Sequence, residues 1–490
     1  MQTIVQSIAE RIHLCYTADK PAQTAVGADG QGWPERKGDT MSENDNQAHR
    51  RFAYSDWPSL QPDLMRYAPD LPQPGPLAQL GESVAIGSGQ SPNRLAVQPM
   101  EGCDGLSDGS PSELTLRRYR RFAAGGAGLV WVEATAVVPE GRANPRQLWL
   151  HEDTAASFAS LVDLIDREAP KRPYKVLQLT HSGRYARPVD KPWPQVAVAN
   201  PWLDKPGQEL SILTDEQLDG LIPAYVEAAR LARAAGFDAV DIKACHRYLI
   251  NELLSAHTRD DRYGGSLENR ARFLLAIVQS IRAAVPIDLA VRLNAYDEIP
   301  WPYGWGVRQD DCRQPDLNEP GWLVRALAAA GVCLINVTGG NPYYNPHVNR
   351  PYDIGPYQPP QHQLIHTGKL LRAVRDLKAA APGVCFIASG LSWLRQLAGP
   401  LSAGLVANDW CDLVGFGRQA FAYPEFAQDL LSGGLVPERC CLSCGKCSEI
   451  MRDGGTSGCV LRDGELYRPI YQTGRAGKAP IASNRIAEHV

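Results

Sequence analysis

The stretch GFDAVDIKACHRYLINELLSAHTRDDRYGGSLENRARF, residues 236–273, decides the fold. After Gly236, the residues Phe237, Ala239, Val240 and Ile242 form a short, partly β-branched apolar run. That is the pattern of a strand buried on both faces, read as 237–242. The strand ends in polar chemistry, with Lys243, His246 and Tyr248 within six residues. A charged loop follows at 258–263, then the turn Gly264-Gly265. Ser266 reads as the N-cap of a helix with Glu268 in its first turn. Titratable side chains therefore sit where a strand hands over to a helix. In a parallel α/β protein, that is where active sites are built.

The alternation continues on both sides. Strands are expected at 94–99, 128–135, 175–179, 237–242, 288–293, 332–337, 384–388 and 412–414. Helices are expected at 113–124, 154–165, 215–235 behind Thr214, 267–285, 322–330, 366–380, from near Trp393, and at 425–431. Three long loops, 185–213, 295–318 and 339–360, each follow a strand, and the last holds five Tyr or His residues. Eight strand–helix pairs predict an α/β fold, a (β/α)8 TIM barrel with enlarged βα loops at the catalytic face. A doubly wound open sheet fits the same alternation.

The expected domain organisation is an N-terminal extension 1–80, a barrel 82–435, a small Cys-rich segment 436–470 and a tail 471–490. The piece 18–46 is polar and Gly-rich and is expected to be disordered. Met41 is a second candidate start, and 69–76 is a proline-rich connector. The net charge of −4 gives no reason to expect nucleic acid or an anionic membrane as partner. No apolar run has membrane-spanning length, and the N-terminus shows no secretory pattern. Of twelve cysteines, five crowd between Cys440 and Cys459. That reads as a reducing, cytoplasmic compartment plus one metal site rather than a disulfide framework.

The opening stretch also carries a resemblance. Arg259, Asp261, Tyr263, Gly264, Gly265, Ser266, Glu268, Asn269, Arg270, Arg272 and Phe273 match R-x-D-x-Y-G-G-S-x-E-N-R-x-R-F. This resembles the signature of the Old Yellow Enzyme family, the FMN-dependent NADH:flavin oxidoreductases. The resemblance extends over about residues 82–465 and implies a barrel, FMN, and NAD(P)H as co-substrate. Two positions depart from it: Lys243 stands where the family has His, and Arg247 where it has Gly.

A flavin needs a phosphate cradle, partners for its pyrimidine edge, a cation near N1 and O2, and an open ring face. Gly417-Arg418 after strand eight and Ser389-Gly390 after strand seven suit a phosphate. The resemblance implies the same role for the Gly-Arg pair. Arg292 at the end of strand five suits the anionic edge. Gln178, in Q-L-T-H-S-G-R, offers donor and acceptor to the pyrimidine. Pro99 and Met100 match the family segment beneath the ring, and Ala134 matches another flavin-contacting strand end. Glu101 stands where relatives carry Thr, Cys or Ala, so it tunes the flavin or points away. For each residue the alternative is packing in the barrel.

Reducing an activated alkene takes a hydride and a proton. Tyr248 is the expected proton donor, since a phenol stays protonated near neutrality and the family Tyr has that role. The resemblance implies that His246 and Lys243 bind and polarise the substrate carbonyl. A Lys–His pair adds positive charge, which suits a carboxylate-bearing or enolate-forming substrate. In the alternative, Lys243 pairs with Glu101 and never meets substrate.

The spacing C-x2-C-x2-C-x11-C over Cys441, Cys444, Cys447 and Cys459 is that of an iron–sulfur site, with Cys440 a neighbour. It resembles the 2,4-dienoyl-CoA reductase and trimethylamine dehydrogenase branch, which carries a [4Fe–4S] cluster after the barrel. That branch has a second interval one residue longer, which keeps zinc open as the alternative. It also continues into FAD- and NAD-binding domains, which these 490 residues do not include. A separate electron-transfer protein is therefore a candidate partner, and so is a second copy of the chain.

The expected activity is ene-reduction, hydride transfer from NAD(P)H through FMN to an α,β-unsaturated carbonyl compound. Two alternatives stand beside it. One is an amine or alcohol dehydrogenase passing electrons through the cluster. The other is a non-catalytic flavin- or zinc-bearing binding protein, if Arg247 fills the pocket.

Overall fold

Eight short parallel strands carry the architecture: β1 Leu95–Val97, β2 Leu129–Ala136, β3 Tyr174–Thr180, β4 Ala239–Ala244, β5 Asp288–Asn294, β6 Val332–Thr338, β7 Cys385–Ala388 and β8 Leu413–Phe416. In this computed structural model, which describes residues 49–477 except 190 and 454, they close into a barrel. β8 pairs with β1 through Val414–Leu95 and Phe416–Val97, so the open-sheet alternative is excluded. The piece 18–46, Met41 and the residues after 477 lie outside the described residues.

Alternation along the strands builds the interior in layers. Ala96, Trp131, Val176, Ala239, Ala290, Leu334, Ile387 and Leu413 form one apolar layer inside the barrel. Side chains of a strand repeat every second residue. One step further on, the inward positions are Gln98, Gln178, Asp241, Arg292, Asn336, Ser389 and Gly415, while a register shift between Val132 and Thr135 leaves Glu133 bonded to Arg118 and Tyr119 of the first barrel helix, Glu113–Ala124. The lower barrel is thus an apolar plug, and its C-terminal mouth is polar. A hairpin, Val84–Ile86 with Gly89–Ser91, closes the bottom by packing Val84 and Ile86 into the same apolar cluster.

The helices are α1 Glu113–Ala124, α2 Ala155–Glu168, α3 Asp215–Ala234, α4 Leu267–Ala284, α5 Asn318–Ala329, α6 Gln363–Ala380, α7 Ala398–Ala407 and α8 Phe426–Ser432. Ser112, Thr214 and Ser266 cap α1, α3 and α4 by accepting from backbone N–H groups. α5 starts a turn before the expected 322, because Pro320 lies in the first turn, where no N–H partner is needed. β4 starts two residues late and runs on through Lys243, which places that side chain on the strand itself.

Residues 49–80, the described part of the extension, carry regular structure that the sequence pattern did not point to. A helix at Trp57–Tyr67, capped by Asp56, buries Leu60 and Leu64. Its Tyr67 stacks on His362 with ring centres 4.2 Å apart. After α8, the chain forms α9 Lys446–Arg452 and α10 Gly464–Arg475, so the expected tail from 471 begins as helix. Ile450, Val460, Tyr467 and Ile470 pack on Leu114 of α1. Asp463 pairs with Arg117 at 2.8 Å and also with Arg121. Among the described residues no helix is long and apolar enough to cross a membrane.

Candidate active site and cysteine cluster

Asp241 organises the floor of the mouth. It accepts from Gln178 Nε2 at 2.6 Å, from Trp131 Nε1 at 3.0 Å and from the Arg292 backbone N–H at 2.6 Å. Burial pushes its carboxyl up to about 6, against these hydrogen bonds. Gln178 is therefore held in one orientation, with one amide proton committed to Asp241. Gln98 Oε1 accepts from Asn336 Nδ2 at 2.7 Å. Among the described residues, Gln98 Nε2, Asn336 Oδ1, Arg292 Nε and Arg418 Nε are buried without a hydrogen-bond partner. Leaving such groups unpaired costs ~1–3 kcal/mol each, so an occupant with matching donors and acceptors would be stabilised at the mouth.

Above that floor, Lys243 is 5 % exposed, and its ammonium lies 3.5 Å from the centre of the Tyr248 ring. Burial lowers the Lys243 pKa, and Glu101 is the strongest charge opposing that. Glu101 is itself raised by burial, with the Lys243 charge and then Tyr248 acting against it. Glu101 therefore lies within electrostatic reach of Lys243 and Tyr248, although its Oε1 has no hydrogen-bond partner among the described residues. Burial also holds the Tyr248 phenol well above its ordinary value, which keeps it protonated. Its hydroxyl lies 3.1 Å from the hydroxyl of Tyr343, whose ring stacks on Tyr185 at 3.9 Å. Asn341 Nδ2 donates to the Tyr185 hydroxyl at 2.7 Å.

Lys243 and His246 do not share a partner. His246 Nε2 lies 3.4 Å from Thr338 Oγ1 and 3.2 Å from Asn349 Nδ2. Burial, then the charges of Arg292 and Lys243, keep the imidazole neutral. His246 and Arg247 both have left-handed backbones, φ 62° and 60°. The strain is held by Asn294 Oδ1 on the His246 N–H at 3.3 Å and Asn251 Oδ1 on the Arg247 N–H at 2.8 Å. Arg247 is 1 % exposed and bonds Ser255 and the Tyr303 carbonyl, with Asp297 3.4 Å from its Nε. It is committed to these partners beneath the β5 loop, which removes the argument that it fills the substrate pocket.

The remaining expected flavin contacts surround the mouth. Ser389 Oγ donates to the Val337 carbonyl at 3.2 Å, and Gly390 has φ 89°. A Cβ at Gly417 would meet Met100 Sδ at 2.6 Å, so with any side chain there either Met100 or the β8 turn would have to move. Pro99 and Ala134 are buried, and the Ala134 carbonyl accepts from Gln147 Nε2 at 3.0 Å. The sequence reading missed Tyr343, Thr338, Asn349 and Arg350. The aromatic and His content of the loop 339–360 was the available signal.

Cys441, Cys444, Cys447 and Cys459 line one cavity with Arg418. Cys440 does not line it; its thiol donates to the Val436 carbonyl at 3.4 Å. The cavity adjoins the barrel mouth on two sides. Arg418 comes from the turn after β8, and Ser457 N–H and Thr456 Oγ1 both bond the carbonyl of Gly102 in the β1 loop, at 2.6 and 2.8 Å. Arg350 bridges the two parts. It donates to Ser448 Oγ at 2.7 Å, and burial together with Arg418 pulls it down to about 9.

The signature residues are scaffold. Arg259 bonds Asp261 Oδ1 at 2.7 Å, the Ala197 carbonyl at 2.7 Å and Asp215 at 3.0 Å. Arg270 reaches the Leu254 carbonyl and Glu319. They tie the long β3 loop and the β4 loop to α3, α4 and α5.

A family model described as the NADH:flavin oxidoreductase / NADH oxidase family matches residues 79–301. An NADPH dehydrogenase of Halalkalibacterium halodurans is 37% identical over 347 residues, 69% of this chain and 89% of that protein. The chain belongs to this family. An NADPH dehydrogenase of Clostridium acetobutylicum is 34% identical over 211 residues, and the match spans 42% of this chain and 60% of that protein. Among solved structures, a 2-naphthoyl-CoA reductase in complex with 2-naphthoyl-CoA superposes with a TM-score of 0.66 at 22% identity. That likeness covers 79% of this chain and 57% of the other, and it concerns the fold alone.

Proposed function

We propose that this flavin oxidoreductase is an ene-reductase, using NADPH to reduce an α,β-unsaturated carbonyl compound on FMN. When bound, FMN supplies the hydride-carrying ring. The observation that carries the reading is the set of unpartnered buried groups at the mouth: Gln98 Nε2, Asn336 Oδ1, Arg292 Nε and Arg418 Nε. Their chemistry fits the flavin. Arg418 with Gly417 and Ser389-Gly390 would hold the phosphate, and Arg292 would face the N1 and O2 edge. Gln178, locked by Asp241, would meet the pyrimidine, while Pro99, Met100 and Ala134 would line the ring. Tyr248 hands its proton to the substrate carbon. His246, neutral and tethered by Asn349, holds the carbonyl oxygen. Lys243 favours a substrate that carries a carboxylate or develops enolate charge.

We further propose that Cys441, Cys444, Cys447 and Cys459 hold a [4Fe–4S] cluster. Four sulfurs around one zinc at about 2.3 Å stand roughly 3.8 Å apart. Among the described residues no three cysteine sulfurs lie within 4.8 Å of one another, wider than a single zinc would need. The free cysteines fit a reducing compartment.

The test is NADPH oxidation with 2-cyclohexenone by protein loaded with FMN, for wild type and Tyr248→Phe. The expected result is turnover in wild type and a loss of about 10²–10⁴-fold in the variant. A wild type that oxidises amines with an external acceptor and ignores enones would overturn the reading.

A further inference from the structure

Away from the mouth, three ligating side chains meet beneath the β6 loop. Glu298 comes from the β5 loop, His347 from the short helix Pro346–Asn349, and His366 from α6. Among the described residues they are the one group of three or more His, Cys, Asp or Glu whose ligand atoms lie within 4.8 Å of one another. Each is 2 % exposed.

Their hydrogen bonding is incomplete in a specific way. Neither ring nitrogen of His366 has a partner among the described residues, and His347 Nε2 has none either. His347 Nδ1 is engaged at 2.5 Å by the hydroxyl of Tyr357. A histidine fixed through one nitrogen by an outer oxygen, with the other nitrogen free, is the arrangement found around bound metals. Buried polar atoms otherwise find partners. Two of these orphaned nitrogens, one from each ring, can share a single partner.

We infer that Glu298, His347 and His366 bind a divalent transition-metal cation of the zinc type. The donor set, two imidazoles and one carboxylate, suits such a metal better than calcium or magnesium. His366 Nδ1 lies 3.9 Å from Glu298 Oε1. Donors around a four-coordinate zinc stand roughly 3.4 Å apart, so small side-chain rotations close the site. Lys369 Nζ lies 3.2 Å from Glu298 Oε1 but is also held by the Arg313 carbonyl at 2.8 Å. A carboxylate has two oxygens and lone pairs for both a cation ligand and the ammonium.

The site has a consequence for catalysis. His347 shares its helix with Asn349, which contacts His246, and the next residue, Arg350, reaches the cysteine segment. A metal there braces the β6 loop to α6 and fixes both contacts. It is a positioning device, separate from the flavin and from the four cysteines.

The test is equilibrium dialysis of the FMN-loaded full chain against zinc sulfate, with melting temperatures read alongside. Wild type and Cys447→Ser are expected to retain zinc at this site. His366→Gln and Glu298→Gln are expected to bind it at least about ten-fold more weakly and to lose the zinc-dependent rise in melting temperature. His347→Gln makes the same comparison if His366→Gln fails to fold. Equal zinc uptake by wild type and the histidine variants, or none by folded wild type, would overturn the inference. So would a loss that follows Cys447→Ser alone.

Discussion

The ammonium of Lys243 sits 3.5 Å from the centre of the Tyr248 ring. A cation over a desolvated ring stabilises the negative charge that grows on the phenol as its proton leaves. Where that growing charge strengthens the contact by about 2 kcal/mol in the transition state, removing it slows proton delivery about 30-fold. Lys243→Met is expected to slow enone-dependent reoxidation by that factor in stopped flow while leaving reduction by NADPH close to wild type. It is also expected to weaken phenolate ligands. An unchanged reoxidation rate and unchanged phenolate affinity would mean that Lys243 serves only Glu101.

Asp297 gives a pH signature in stability. Burial raises its carboxyl from 3.8 to about 6, with Arg247 opposing. Between those values the native state holds the proton that the unfolded state has lost. Wild type therefore loses stability as pH rises through that window, by at most about 1.4 kcal/mol per pH unit. In denaturant titrations, Asp297→Asn should gain on wild type from pH ~4 to ~6 and then run parallel to it. A gap independent of pH would contradict the burial argument.

Gly417 tests the flavin cradle without touching a charge. A Cβ there would stand 2.6 Å from Met100 Sδ. Gly417→Ala must displace either the β8 turn or Met100. It is expected to purify with FMN depleted by ten-fold or more, on the order of 1.4 kcal/mol, while its far-UV circular dichroism is unchanged. Full FMN occupancy would show that the β8 turn does not approach the ligand.

The cysteines divide four to one. Cys447→Ser is expected to lose most of its iron and acid-labile sulfide, ~4 of each per chain in wild type. Cys440→Ser should keep both, because Cys440 points to the Val436 carbonyl and does not line the cavity. Zinc in place of iron in both wild type and Cys440→Ser would make the segment a zinc site.

The barrel was legible because its signals are local. Apolar runs between capped helices, such as Val332–Thr338 after α5 or the Ser266 cap before α4, need no knowledge of what packs against them. The helix Trp57–Tyr67 was hidden, because Pro62 breaks its pattern and only Leu60 and Leu64 are buried. At the site, residues such as Gln178 and Arg292 could be picked out from their place at the ends of expected strands and from the family resemblance. Tyr343, Asn349 and Arg350 could not, because their partners Tyr248, His246 and Ser448 lie about a hundred residues away and are brought together only by barrel closure. The same holds for Arg247. Bulk beside Tyr248 suggested a blocked pocket, and only the fold reveals Asp297 behind it.

The most direct measurement of the central claim is a visible absorption spectrum of protein purified without oxygen, taken before and after one equivalent of NADPH and again after 2-cyclohexenone. The account predicts flavin bands over a broad iron–sulfur background, bleaching of the flavin by NADPH, and its return with the enone. A protein without flavin, or a flavin that NADPH bleaches and the enone does not restore, would contradict it.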